Sequence, residues 1–176
     1  MSIRRITVVQ ESAQAGRVLA AVAEAAAALE AELHGLFLED VELLHFAGLP
    51  FAREIGASAS SRGLDVPTME RRFRRQAEAA RRGLAAAAEG KPVRWSFRVE
   101  RGSRPAQLRR ALADADLVVV LGGRGLRRAV AVVSAPELPQ EAETVLERLA
   151  RSLAGDVYRL RSAVDEEALG RLLRDL

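Results

Sequence analysis

Gly122, Gly123 and Gly125, with Arg124 set among them, are the residues of this 176-residue chain whose types and spacing speak most directly of chemistry. Glycine lets a backbone take positive φ and turn its N–H groups outward. A run of outward N–H groups beside a forked guanidinium is a cradle for an anion, above all a phosphate. The loop follows directly on Leu117–Leu121, an apolar and mostly β-branched run that stops where the glycines begin. That run is too short to span a membrane and too branched for a surface helix, so it reads as a strand buried on both faces. Ligands of open α/β sheets bind beyond the carboxyl ends of such strands. The plainer reading is that the glycines only turn the chain, and the sequence alone leaves both standing.

The other reactive side chains are sparse. His34 and His45 have no motif partner in sequence and read as ordinary core or surface histidines. Ser12 and Ser103 precede helical patterns and read as N-caps before they read as nucleophiles. Glu39, Asp40 and Glu42 could hold a metal ion, though an exposed acidic turn is the commoner use of such a group. Arg71, Arg74, Arg75, Arg81 and Arg82 fall on one arc of a helix. They read as a solvated face softened by Glu70 and Glu78, and the lack of interleaved aromatics argues against nucleic acid.

Composition narrows the classes further. The net charge of +3 arises from 27 basic and 24 acidic residues, too mild an excess to imply a nucleic-acid partner. Lys91 is the only lysine, which points to codon bias before function. With no cysteine there are no disulfides, thiolate zinc sites or thiol chemistry. The N-terminal apolar run is too short for a signal peptide, and no segment approaches the roughly 20 apolar residues of a membrane span. The expectation is a cytoplasmic protein with neither membrane nor nucleic acid as partner.

The elements that must position these residues follow in order. Residues 3–9 read as a strand, and Val18, Leu19, Val22, Ala26, Leu29 and Leu33 recur at helical spacing up to about Glu32. Residues 34–38 form the next strand. Strand, helix, strand within about 35 residues predicts a parallel pair with a right-handed crossover. Residues 39–68 are irregular, with a short helix interrupted at Pro50 and then a loop of small residues. Leu43, Leu44, Phe46, Leu49 and Phe51 are too apolar for open water, so they cover the sheet edge or meet a partner. From Thr68 a long helix buries Met69, Phe73, Ala77, Ala80 and Leu84. Residues 93–100 alternate apolar and polar, which predicts a strand near an edge, with one wet face. A helix opens at Gly102-Ser103-Arg104-Pro105 and leads to the 117–121 strand. Residues 129–133 are again strand-like, but only seven residues separate them from Leu121. That is too few for a parallel crossover, so the strand is antiparallel to its predecessor or placed elsewhere. A helix over 139–154, a strand over 156–162 and a helix over 165–176 complete the chain.

The fold class implied is α/β, an open and mostly parallel twisted sheet with helices on both faces. Residues 1–128 form the first unit, and 129–176 an abbreviated second β-α-β-α half packed on it or on a partner chain.

Read together, these features resemble the universal stress protein family, a fold of the adenine nucleotide α-hydrolase type. The resemblance covers residues 3–126. ITVVQES sits where the family has a strand ending in an Asp-x-Ser type turn, and ADLVVVLGGRG is close to the family's signature at the central strand. Gly102 sits where the family has a glycine before its third helix. Members that bind ATP share a G-x-x-G loop followed nine residues later by Gly and Ser or Thr. Gly122 and Gly125 match the first half, but Ala135 and Pro136 stand where the second half belongs. The family's acidic nucleotide contact falls on Gln10, which can hydrogen-bond a ribose or adenine but cannot serve a metal as a carboxylate. The resemblance therefore implies a non-catalytic stress-response protein acting as a homodimer through protein contacts. Strand 129–133 or stretch 43–51 is the expected interface. One alternative is an ATP-binding sensor holding phosphates on Gly122, Gly123, Arg124 and Gly125, with Gln10, Ser12 and Gly102 nearby. Another is an α/β enzyme with its site at the strand ends. ATP is the one cofactor implied, and no metal is.

Overall fold

Six strands form the sheet, in the order β5-β2-β1-β6-β7-β8. The computed structural model describes residues 2–11, 16–55, 61–121, 129–133, 138–153 and 157–159, together with Gly170. The strands are β1 (Arg5–Gln10), β2 (Glu32–Asp40), β5 (Trp95–Gly102), β6 (Leu117–Leu121), β7 (Ala129–Val133) and β8 (Val157–Arg159). A separate antiparallel hairpin pairs β3 (Arg53–Ile55) with β4 (Ser61–Gly63). The helices are α1 (Gly16–Ala28), α2 (Val41–Ala47), α3 (Val66–Ala88), α4 (Arg104–Asp114) and α5 (Gln140–Leu153).

β1 lies between β2 and β6 and is parallel to both, with Gln10 opposite Phe37 on one side and Leu121 on the other. All five residues of β6 are buried, as the unbroken apolar run predicts. Side chains alternate across a strand. Ile6, Val8, Leu33, Leu117, Val119 and Leu121 therefore share one face, packed with Leu19 and Val22 of α1, Leu84 of α3 and Val145, Leu146 and Leu149 of α5. Handedness places the remaining helix. The chain steps from β1 to β2 and on to β5 in one direction, then back past both to β6. Right-handed crossovers put α1 and α3 on one face and α4 on the other.

The short connection after β6 is resolved as an antiparallel turn-back, with Leu117 opposite Val133 and Leu121 opposite Ala129. β8 then runs parallel to β7 through α5, repeating the β1-α1-β2 grammar in reverse orientation. β7 is hydrogen-bonded on both sides within the chain. Over Ala131–Val133 both of its edges are thus taken up by strands of the same chain. The final helix expected over 165–176 lies, except for Gly170, outside the described residues.

β5 is an edge strand, as its alternation predicts. Trp95 and Phe97 are half-covered while Val99 stands exposed. α2 ends at Gly48, before Pro50, capped at its start by the Asp40 carboxylate accepting from Glu42 N at 2.9 Å. α3 begins two residues earlier than Thr68. Asp65 caps it by accepting from Thr68 N at 2.7 Å, with Pro67 in the first turn. It ends before Gly90, which adopts φ +71°, the left-handed conformation that suits glycine. The β3–β4 hairpin was not legible, because 53–63 lacks the alternation of a half-buried strand.

Gly35 shows how closely β2 meets its cover. A Cβ there would lie 2.6 Å from Leu84 Cδ2 and 2.6 Å from Phe97 Cδ2. Gly35→Val is expected to cost about 1–3 kcal/mol by overpacking. The readout is a lowered urea midpoint at unchanged slope.

Candidate functional site

The crossing pattern sets a topological switch point between β1 and β6. From β1 the chain departs toward one face and into β6 it arrives from the other, so the carboxyl ends of these neighbours face a gap between diverging connections. Gln10 ends β1, Asp40 ends β2, Gly102 ends β5 and Leu121 ends β6. Ser12 and the loop of Gly122, Gly123, Arg124 and Gly125 belong to this edge in sequence but lie outside the described residues.

Gln10 is fully buried, flanked in register by Phe37 and Leu121. Neither Nε2 nor Oε1 has a hydrogen-bond partner among the described residues. An enclosed amide left unmatched in this way costs free energy, which makes it the most conspicuous polar group of the interior.

Next along the chain, Glu11 reaches the first residue of α4. Its Oε1 lies 2.6 Å from Arg104 Nε, with both side chains about three-quarters covered. The contact is ionic, since the N–H is not aligned on the oxygen, and Arg104 Nη2 is buried without a hydrogen-bond partner among the described residues. Burial pushes the Glu11 carboxyl above its ordinary value; Arg104 opposes this and Asp40 adds to it. A raised folded value means that this group favours the folded state most below the ordinary range. That contribution is lost as pH rises through the shifted value.

α4 brings two further groups to the same edge. Ser103 occupies the N-cap position but its side chain makes no cap bond, unlike the capping expected of it. Gln107 is 4% exposed and lies over Gly102, where any Cβ would collide with its Nε2. A larger residue at 102 would require the Gln107 side chain to move. Gln107 Nε2 donates weakly to Arg101 O at 3.5 Å, and its Oε1 has no partner among the described residues. Sequence reasoning missed Glu11, Arg104 and Gln107, because nothing in their spacing says that the ends of β1 and β5 meet at α4.

The acidic trio separates by task. Glu39 accepts from Arg101 Nε at 2.9 Å, and Arg101 Nη1 also reaches Glu70 Oε1 at 3.3 Å. Asp40 caps α2, and Glu42 is exposed. Among the described residues no group of three acids or histidines is placed to hold a metal.

His34 does have partners, across the sheet rather than along the sequence. Its Nδ1 is 2.7 Å from Ser96 Oγ on β5, and Nε2 is 3.5 Å from Glu32 Oε2. Glu32 sits nearer to Arg94 Nη2, at 3.0 Å, than to the imidazole. His34 with Ser96, and Glu32 with Arg94, therefore tie β2 to its edge neighbour. His45 is exposed in the last turn of α2.

Away from this edge, Leu43, Phe46, Leu49 and Phe51 are 43%, 45%, 41% and 72% exposed. They lie on α2 and the turn after it. Val66, 36% exposed, stands beside Gly48 and extends the same surface. Leu44 and Ala47, from the opposite side of α2, are buried against Met69 and Phe73. None of the described helices is long and apolar enough to cross a membrane.

No protein-family model matches the chain, and no curated protein does. Solved structures similar to it include a protein from the universal stress protein family of Burkholderia pseudomallei, 18% identical over 91% of this chain and 97% of that one, with a TM-score of 0.44. A universal stress protein from Lactobacillus plantarum is 14% identical over 92% and 99%, at a TM-score of 0.47. A universal stress protein in complex with cAMP is 18% identical over 92% and 99%, at 0.38. The neighbours thus come from the family that the sequence resembles, and no residue's role is carried across from them.

Proposed function

We propose that this chain is a non-catalytic protein of the universal stress type that works as a homodimer through protein contacts. The observation that carries this reading is the surface of Leu43, Phe46, Leu49, Phe51 and Val66. Two phenylalanines and three aliphatic side chains exposed together are what a protein-binding surface presents, whereas single exposed apolar residues need no explanation. α2 holds the surface rigidly, because its other side is anchored in the core.

A second reading is favoured by one specific observation, the Gln10 amide, buried with no hydrogen-bond partner among the described residues. In this reading a nucleotide enters the gap at the ends of β1 and β6 and supplies the partners that Gln10 lacks, with its phosphates on Gly122 and Gly125. Arg104, Glu11 and Asp40 would line the approach.

Sedimentation equilibrium at micromolar protein tests the first reading. The expected result is a dimer that Phe46→Ser with Phe51→Ser converts to a folded monomer; a monodisperse wild-type monomer overturns it.

Gln10→Met addresses the second reading through two readouts. Without ligand, the variant is expected to gain about 1–3 kcal/mol in urea unfolding, because an unmatched amide is replaced by an apolar chain of similar length. Titration calorimetry with ATP, with and without magnesium, should then show micromolar binding in the wild type that is lost in Gln10→Met and in Gly125→Val. No heat up to millimolar ATP removes nucleotide binding and leaves the protein-contact reading untouched.

A further inference from the structure

The outward face of α3 carries Arg71, Arg74, Arg75, Arg81 and Arg82, all exposed. A solvated helix of this kind ordinarily interleaves acids at the i±4 positions, and Glu70 and Glu78 are the acids in place to do so. The structure shows that they do not neutralise the stripe. Glu70 is turned away, toward the sheet edge, where it meets Arg101 of β5 at 3.3 Å. Glu78 touches only Arg82, at 3.8 Å, with both side chains at least 70% exposed. Arg71 donates to Thr68 Oγ1 at 2.9 Å and lies within electrostatic reach of the Asp65 carboxylate at the start of the helix. Arg74, Arg75 and Arg81 have no acidic partner among the described residues. The contrast with the edge strand is direct: on β5, Arg94 pairs with Glu32, Arg98 with Glu100, and Arg101 with Glu39 and Glu70.

Like charges three and four residues apart disfavour a helix. The stripe is therefore a self-repelling face held by the burial of Met69, Phe73, Ala77, Ala80 and Leu84 behind it. From Arg71 to Arg82 the rise along the helix is about 16 Å, and the five guanidiniums fall along it in two groups, Arg71–Arg75 and Arg81–Arg82, a mean of about one per 4 Å. One strand of a nucleic-acid duplex carries a phosphate about every 3.4 Å along its axis. The mean linear charge densities are similar. Guanidiniums engage phosphate oxygens through a planar fork of donors, and the duplex major groove admits an α-helix.

We propose that the α3 stripe binds the phosphodiester backbone of duplex nucleic acid without regard to sequence. The aromatic residues missing from this face would be needed to stack unpaired bases, and backbone contact to a duplex does not use them. The reading is independent of what occupies the apolar surface on α2.

The test is fluorescence anisotropy of the full chain with a labelled 20-base-pair DNA duplex of arbitrary sequence, at 50 and 200 mM salt. Five arginines less Glu78 give four net contacts and a log–log salt slope of about −3.6, so that binding weakens on the order of 100-fold across this range. In Arg74→Gln/Arg75→Gln/Arg81→Gln the slope should shrink to about −0.9, a loss of about fourfold over the same range. Glutamine keeps good helix propensity at these exposed positions, and circular dichroism checks the fold. Arg17→Gln/Arg110→Gln/Arg148→Gln removes the same charge from exposed sites elsewhere and should bind like the wild type. Absence of duplex binding at 50 mM salt overturns the proposal, and so does equal loss in both triple variants. Binding to poly-glutamate or to anionic phosphatidylglycerol vesicles without binding to duplex overturns it as well.

Discussion

The pairing of β1 with β6 is the constraint on which the rest of the molecule depends. Both strands are buried on both faces, and their parallel register runs from Ile6 opposite Leu117 to Gln10 opposite Leu121. Each apolar side chain removed from water there contributes about 1.5–3 kcal/mol. The register is locked at its start by Asp116, whose carboxylate accepts from the backbone N–H groups of Arg4 at 2.8 Å and Arg5 at 3.0 Å. To set β6 on the far side of β1, the chain has to cross back over two strands it has already laid down. That reversal puts α4 alone among the crossover helices on its face. It also brings the first turn of α4 to the end of β1, which is how Arg104 comes to touch Glu11.

The two ends of this pair are treated differently. At the amino edge the polar groups are matched, with the Asp116 carboxylate fitted between backbone donors and Arg5 Nη1 bonded to the Asp114 carbonyl at 3.0 Å. At the carboxyl edge Gln10 and Gln107 are buried with amide atoms left over. An interior that satisfied only the needs of folding would put apolar side chains at both positions, since a buried unmatched polar atom costs about 1–3 kcal/mol. Local violations of this kind gather at functional sites. Among the described residues, Gln10 and Gln107 fall at the carboxyl edge, where the topological switch point lies.

Much of the fold could be read from residue patterns because it is governed by local rules. The unbroken run 117–121 announced a doubly covered strand, the alternation at 93–100 announced an edge, and the seven-residue gap after Leu121 excluded a parallel neighbour. What could not be read depends on contacts distant in sequence. His34 seemed isolated because Ser96 is 62 residues away, and the two meet only once β2 and β5 are paired. Glu39 and Asp40 looked like potential metal ligands until Arg101 claimed one and the start of α2 the other. The segment 53–63 lacks the period-two alternation by which a strand is read from sequence. The site is legible only in part: Gln10 and Gly102 were identified, whereas Glu11, Arg104 and Gln107 become neighbours of this edge through the crossover alone.

The arginines of α3 show why a net charge is a poor guide to partners. A balance of 27 bases against 24 acids describes the chain as nearly neutral, and that holds around β5, where Arg94, Arg98 and Arg101 each find a carboxylate. Electrostatic work is set by which charges meet within a few ångströms, because beyond about 8–10 Å physiological salt screens the remainder. Glu70 stands one turn before Arg74, on the same side of the helix, but its carboxylate reaches Arg101 at 3.3 Å instead of the stripe. Spending Glu70 on Arg101 ties α3 to β5 and strips the outer face of its nearest counter-charge. The same side chain that helps to hold the helix in place thereby leaves its exposed surface more positive than composition suggests, so the docking of α3 and the charge of its free face arise from a single choice of partner.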